Sequence, residues 1–146
     1  MRYQKSNNIN VYYDHYLDNI NFKPDFILRF GRKPVSKKLC QFISRNKTKS
    51  FLLEPYANFN DDCPNLIKTT LKNVILKFSS LNTTDSNWIK HIKNLELISK
   101  KFIEKNIQKN KSESWLIHSV ANRIQKNDCL FISNSTPIRT FDKFSG

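Results

Sequence analysis

Two apolar runs of strand length, residues 25–30 and 50–54, flank one helix-length segment, and this spacing limits the fold more than any other feature of the chain. The first run follows Pro24, carries Phe26, Ile27, Leu28 and Phe30, and ends at Gly31; the second carries Phe51, Leu52 and Leu53 and is closed by Pro55. Short apolar runs bounded by glycine or proline read as buried strands. Between them Ser36 can cap a helix in which Leu39, Phe42 and Ile43 fall at helical spacing, with a polar exit over residues 46–49. Strand, helix and strand in that order make a βαβ unit, whose two strands run parallel with a right-handed crossover. The fold class is therefore α/β, with a parallel, Rossmann-like sheet.

Downstream, residues 66–78 are ambiguous, since Val74, Ile75 and Leu76 are too short a run for periodicity to decide; helix is the weaker-signalled choice made here. Residues 79–86 are rich in Ser, Asn, Thr and Asp, which favour turns over continuing elements, and mark a boundary. Beyond it Trp88, Ile92, Leu95, Ile98 and Phe102 form one stripe of a long helix with a lysine-rich opposite face. Ser112 caps a second helix with Leu116, Val120 and Ile124 on one side, and Asn127 and Asp128 turn the chain into a buried strand over residues 129–133. This organisation divides the chain into residues 1–80 and residues 81–146.

The glycine count is 2, Gly31 and Gly146, which excludes every glycine-rich phosphate loop. Cys40, Cys63 and Cys129 stand apart without a C-x-x-C pair, and His15, His91 and His118 do not join them at metal-ligand spacing, so no metal ligand is assigned and a reducing compartment is expected. Residues 1–10 lack the apolar core of a secretory signal, and no apolar run approaches the ~20 residues needed to span a bilayer. Lys and Arg number 25 against 12 acids, a net charge of +13 that favours anionic partners: nucleic acid, acidic lipid, or a carboxylate or phosphate ligand. An AT-rich genome accounts for the lysine and asparagine excess equally well.

Two cationic loops leave the carboxyl ends of expected strands, where open α/β sheets bind ligands. In the first, Lys37 and Lys38 occupy the first turn of a helix, where the dipole makes each cation unfavourable by ~0.3–1 kcal/mol unless an anion sits there. On spacing alone the pair reads first as a solvated lysine face. In the second, Asn134 and Ser135 offer polar groups and Pro137 stiffens the loop that presents Arg139, a guanidinium able to grip a carboxylate with two bonds. A strand-end turn with Arg139 in water fits these residues equally. Trp88 and Trp115 read as packing residues, Asp61 and Asp62 as a solvated turn, and no nucleophile stands beside a base, so no catalytic residue is assigned.

The segment Arg29, Phe30, Gly31, Arg32, Lys33, Pro34, Val35, Ser36, Lys37, Lys38 resembles the Gly-Arg-x-Pro-x-Ser-Lys loop of the menaquinone- and phylloquinone-pathway synthases that make 2-succinyl-5-enolpyruvyl-6-hydroxy-3-cyclohexene-1-carboxylate. Asn134, Ser135, Thr136, Pro137, Ile138 and Arg139 are similar to the same family's Asn-Ser-x-Pro-Ile-Arg-Asp motif, in the right order and about a hundred residues on. Thr140 stands where the family has aspartate and Lys38 where arginine is common. The resemblance implies a partial chain: residues 1–80 as the latter part of a central α/β domain and residues 81–146 as the start of a thiamine-diphosphate-binding domain. It implies a transferase that decarboxylates 2-oxoglutarate on thiamine diphosphate, with Mg²⁺ or Mn²⁺, and adds the succinyl unit to isochorismate. By position Lys37, Lys38, Ser135 and Arg139 would be substrate-binding. The family's amino-terminal domain, with its activating glutamate, and its Gly-Asp metal-diphosphate motif have no counterpart here. The expectation is that this chain alone binds no cofactor and is inactive, needing the remaining enzyme segments and the family's homo-oligomer, in a plastid stroma or bacterial cytoplasm.

Two rival readings come from other classes. A basic nucleic-acid-binding module accords with the charge, but the lysines are spread over every element and no helix-turn-helix or RNA-stacking pattern is present. A noncatalytic interaction remnant would be marked by a stable protein partner.

Overall fold

The computed structural model describes residues 9–21, 23–56, 61–79 and 87–146. Their contacts divide them into two units, Asn21–Ser86 on one hand and Met1–Ile20 with Asn87–Gly146 on the other. The first is a three-stranded parallel sheet with helices, and its α/β class is the one the sequence implies.

In that unit β1 (Ile27–Phe30) leads through Gly31 to α2 (Lys37–Arg45), β2 (Ser50–Glu54), β3 (Asn65–Lys68) and α3 (Leu71–Phe78). β1 and β2 are parallel, with Ile27 opposite Ser50 and Phe30 opposite Leu53. The expected βαβ unit is present. The Ser36 side chain accepts a hydrogen bond from the Leu39 N–H at 3.1 Å, satisfying one of the open donors that begin α2. Leu52, 2% exposed, and Leu53 on the central strand anchor the core.

β3 was not expected as a strand. It pairs parallel with β2, Phe51 opposite Asn65 and Glu54 opposite Lys68, and then Thr70 caps α3 through the Asn73 N–H. The ambiguous stretch is therefore part strand and part helix. Asn65, Leu66, Ile67 and Lys68 carry only two apolar side chains, and a sheet edge tolerates that because so little of it is buried.

The second unit is helical: α1 (Tyr13–Tyr16), α4 (Asn87–Asn106), α5 (Glu113–Ala121) and α6 (Thr136–Phe144). Of the boundary segment 79–86 only Ser79, the C-cap of α3, lies among the described residues. α1 contacts α4 and α6. Glu96 of α4 accepts the N–H groups of Val11 at 2.5 Å and Tyr12 at 2.9 Å through Oε1, and the Tyr16 hydroxyl at 2.9 Å through Oε2. One carboxylate thus caps the short α1 from another element, and residues 9–20 pack with the helical unit for that reason.

Two expectations are corrected here. The packed face of α4 runs through Ile92, Glu96 and Ile103, whereas Trp88, Ile98 and Phe102 (67% exposed) face outward. The apolar stripe exists, but a polar anchor at Glu96 turns the helix away from it. Residues 129–133 form no strand, since all three strands among the described residues belong to the other unit and no neighbour offers a ladder. They are not buried either: Phe131 is 97% exposed.

Candidate functional site

The first candidate pair sits where α2 begins. Gly31 adopts φ 75°, a backbone conformation that turns the chain out of β1 and that side-chain-bearing residues rarely take. Ser36 then closes the helix start, and Lys37 and Lys38 are its first two residues. Lys37 is exposed and Lys38 half-buried. Two ammonium groups at a positive helix end are locally unfavourable, and an anion there would offset that cost.

Beside α2 a cavity of about 300 Å³ is lined by Arg29, Lys33, Lys37, Lys47 and the thiols of Cys40 and Cys63, among others. One of its lining residues, Arg29, belongs to a pair that the sequence reading missed. Arg29, on β1, donates both terminal nitrogens to Asp61, Nη1 to Oδ1 at 3.0 Å and Nη2 to Oδ2 at 2.5 Å, with side chains 7% and 2% exposed. Asp61 also accepts the Cys63 N–H at 2.9 Å. The expected solvated turn is thus half right: Asp62 pairs with Lys33 at 2.7 Å in the open, while Asp61 is a buried ion-pair partner. The Arg29 bonds, with help from the Cys63 N–H, hold the Asp61 carboxyl below its ordinary range. Its own bonds to Asp61 raise Arg29 in turn. The overlooked signal was a cation inside an apolar strand run, which calls for a buried anion elsewhere.

The second pair lies in the helical unit. Ser135 and Arg139 are not in a loop: Ser135 is the N-cap of α6 and Arg139 lies on its first turn. Proline among the first residues of a helix costs nothing, because the N–H it lacks would have had no partner there. Pro137 therefore starts a helix where a stiff loop was expected. Ser135 has φ 72° and ψ −127°, and its side chain makes no capping bond, so the N–H groups of the first turn keep their donor capacity. Arg139 is exposed, and no carboxylate pairs with it among the described residues. Strain at a non-glycine residue beside open donors and a cation is a feature of ligand sites.

The structure thus brings Lys37 together with Lys38, and Ser135 together with Arg139, each pair at a helix start, in two different units. Residues 10–132 match the family model of the middle domain of thiamine pyrophosphate enzymes. The chain belongs to this middle-domain family. The match runs on past residue 80, where the sequence suggested a division.

Relatives of this thiamine pyrophosphate middle domain include the 2-succinyl-5-enolpyruvyl-6-hydroxy-3-cyclohexene-1-carboxylate synthases of Oceanobacillus iheyensis, 27% identical over 130 residues, and Lactococcus lactis, 29% identical over 141 residues. The alignments cover 84% and 89% of this chain but 22% and 25% of those enzymes. The Staphylococcus haemolyticus synthase is 25% identical over 97% of the chain and 26% of its own length. The chain spans about a quarter of the relatives it matches. Among the described residues no helix is long and apolar enough to cross a membrane.

Proposed function

We propose that this middle domain serves a thiamine-diphosphate-dependent synthase of menaquinone or phylloquinone biosynthesis, in which 2-oxoglutarate is decarboxylated and its succinyl unit added to isochorismate. The observation that carries the reading is the placement of cations at the helix start of each family motif: Lys37 and Lys38 on α2, which Ser36 caps, and Arg139 beside Ser135 on α6, which has no side-chain cap. Both substrates are carboxylates. A helix start with ammonium groups neutralises a carboxylate and fixes where it points; a guanidinium adds two-point contact. In this reading the lysines hold isochorismate and Ser135 and Arg139 contact substrate, so their work is binding and orientation, with no proton transfer assigned to them.

Among the described residues the donor set does not by itself fit a thiamine diphosphate site. The described residues contain no cluster of three His, Cys, Asp or Glu suited to the divalent cation that would bridge a diphosphate, and Gly31 and Gly146 cannot supply a glycine-rich phosphate loop. Decarboxylation chemistry therefore belongs to the complete, homo-oligomeric enzyme with thiamine diphosphate and Mg²⁺ or Mn²⁺, in a bacterial cytoplasm or plastid stroma. The test is reconstitution: the chain is produced together with the remaining synthase segments and assayed for succinyl transfer from 2-oxoglutarate to isochorismate. Turnover with a KM for isochorismate that rises at least tenfold in Lys37→Ala/Lys38→Ala is the expected result. Turnover indifferent to all four residues would refute the site, and a stable assembly with no turnover would leave a noncatalytic interaction domain.

A further inference from the structure

Side chains of α1 and α5 grip the carboxyl-terminal half of α6. The Tyr13 hydroxyl on α1 donates to Asp142 Oδ2 at 2.6 Å, and the neighbouring Asp14 carboxylate lies 3.7 Å from the Lys143 ammonium. His15, also on α1, donates from Nε2 to the Lys143 carbonyl at 3.3 Å, and His118 of α5 donates from Nδ1 to the Phe144 carbonyl at 2.9 Å. The imidazoles thus satisfy carbonyls that the end of a helix leaves open, and α1 is itself seated by Glu96 of α4. At the other end of α6, Ser135 provides no side-chain cap, and the exposed Arg139 makes no ion pair among the described residues.

That Arg139 stays open calls for a cause, because an acid follows it on the same helix. Asp142 comes three residues later, a spacing at which side chains meet on a helix surface and opposite charges pair. An Arg139–Asp142 pair would use the same guanidinium fork that grips a substrate carboxylate. In the structure the Asp142 carboxylate is engaged by Tyr13 instead. We propose that Tyr13 is a positioning residue: by holding Asp142, while Asp14 and His15 fix the adjoining turn, it keeps Arg139 open for a carboxylate ligand. The proposal rests on the functional reading above, in which that ligand is a substrate, and it adds a residue remote in sequence from the motif it serves. A phenol suits the task, since its hydroxyl gives the carboxylate a directed bond without placing a further cation beside Arg139 to compete for the ligand.

The experiment titrates the full chain with succinate and follows the Arg139 Nε–Hε resonance by NMR, beside KM measurements on the reconstituted synthase. Tyr13→Phe removes the hydroxyl alone, and Asp142→Asn removes the competing charge while keeping an acceptor for Tyr13. The expected result is a saturable shift in the wild-type chain and in Asp142→Asn, with binding about two- to fivefold weaker in Tyr13→Phe. Tyr13→Phe/Asp142→Asn should recover the wild-type value. The KM of the substrate that Arg139→Ala impairs should follow the same pattern, with kcat little changed. A hydroxyl that only braces the fold would leave the double variant as weak as Tyr13→Phe or weaker, and that result would overturn the proposal. Equal succinate binding in Tyr13→Phe and wild type, or an Arg139 resonance that succinate does not move, would also overturn it. KM values indifferent to Arg139→Ala, with the succinate pattern intact, would remove the functional reading and keep this inference; a KM effect of Arg139→Ala without the Tyr13 pattern would do the reverse.

Discussion

Arg29 and Asp61 are 32 residues apart and meet in a bidentate pair that water scarcely reaches. Removing one member leaves the other charged and buried, so Asp61→Ala should lower stability by about 3–5 kcal/mol, read as a drop in the urea midpoint at neutral pH. The pH dependence has a definite sign. Arg29 holds the folded carboxyl below the ordinary value of about 3.9, so the pair's contribution is complete above that value and is lost as pH falls through the lower folded one. Urea midpoints of wild type and Asp61→Asn, well separated at pH 7, should converge on acidification below about pH 4; a constant gap would mean that the carboxylate is not the stabilising group. Arg29 inside an apolar strand run signals a buried anion, but sequence reading had no route to Asp61 as that partner, because charge partners set by tertiary contact leave no periodic signal. Lys37, Lys38, Ser135 and Arg139 are singled out only because motif residues resemble a family's; spacing alone leaves a solvated reading open for each.

Element by element, β1, α2 and β2 follow from pattern because each has a local cause: apolar runs closed by Gly31 and Pro55, and a serine at the helix start. Ser36→Ala should cost about 1 kcal/mol of stability in the sheet unit by removing the Leu39 N–H acceptor, measurable by urea titration. Lys37→Glu should act in two directions at once. An acid at the first turn of α2 favours the helix by about 0.3–1 kcal/mol and raises the melting temperature, while the KM for isochorismate in the reconstituted enzyme rises. A higher melting temperature with unchanged KM would make Lys37 a surface residue. Elements that depend on remote partners were less legible. β3 is a strand because β2 lies beside it; residues 129–133, with stronger strand character, have no strand beside them among the described residues. In α4 the apolar stripe was read correctly as sequence but not as packing, since Glu96 reaching Val11, Tyr12 and Tyr16 fixes the helix rotation. Glu96→Ala should therefore speed amide exchange at Val11 and Tyr12 at least tenfold while exchange within α2 stays unchanged.

For the whole molecule the dominant quantity is 25 cations against 12 anions. Such an excess repels itself in the compact state, and salt screens it, with a Debye length of about 10 Å at 0.1 M. Raising sodium chloride from low to moderate concentration should increase the melting temperature, most of all for contributions from exposed charges and least for the buried Arg29–Asp61 pair. Screening and site binding are separable, because a diffuse excess responds to ionic strength whereas a helix start with fixed cations responds to the identity of the anion. Succinate at ionic strength matched to chloride should give a further rise in the wild-type chain. Lys37→Ala/Arg139→Ala should keep the chloride response and lose the succinate increment. If wild type and variant gain equally from succinate, the gain comes from general solvent exclusion, and the cationic helix starts are not carboxylate sites. If the increment is lost, the lysine-rich composition is the background on which a small number of placed cations select dicarboxylates, and that distinction separates this chain from a merely basic protein.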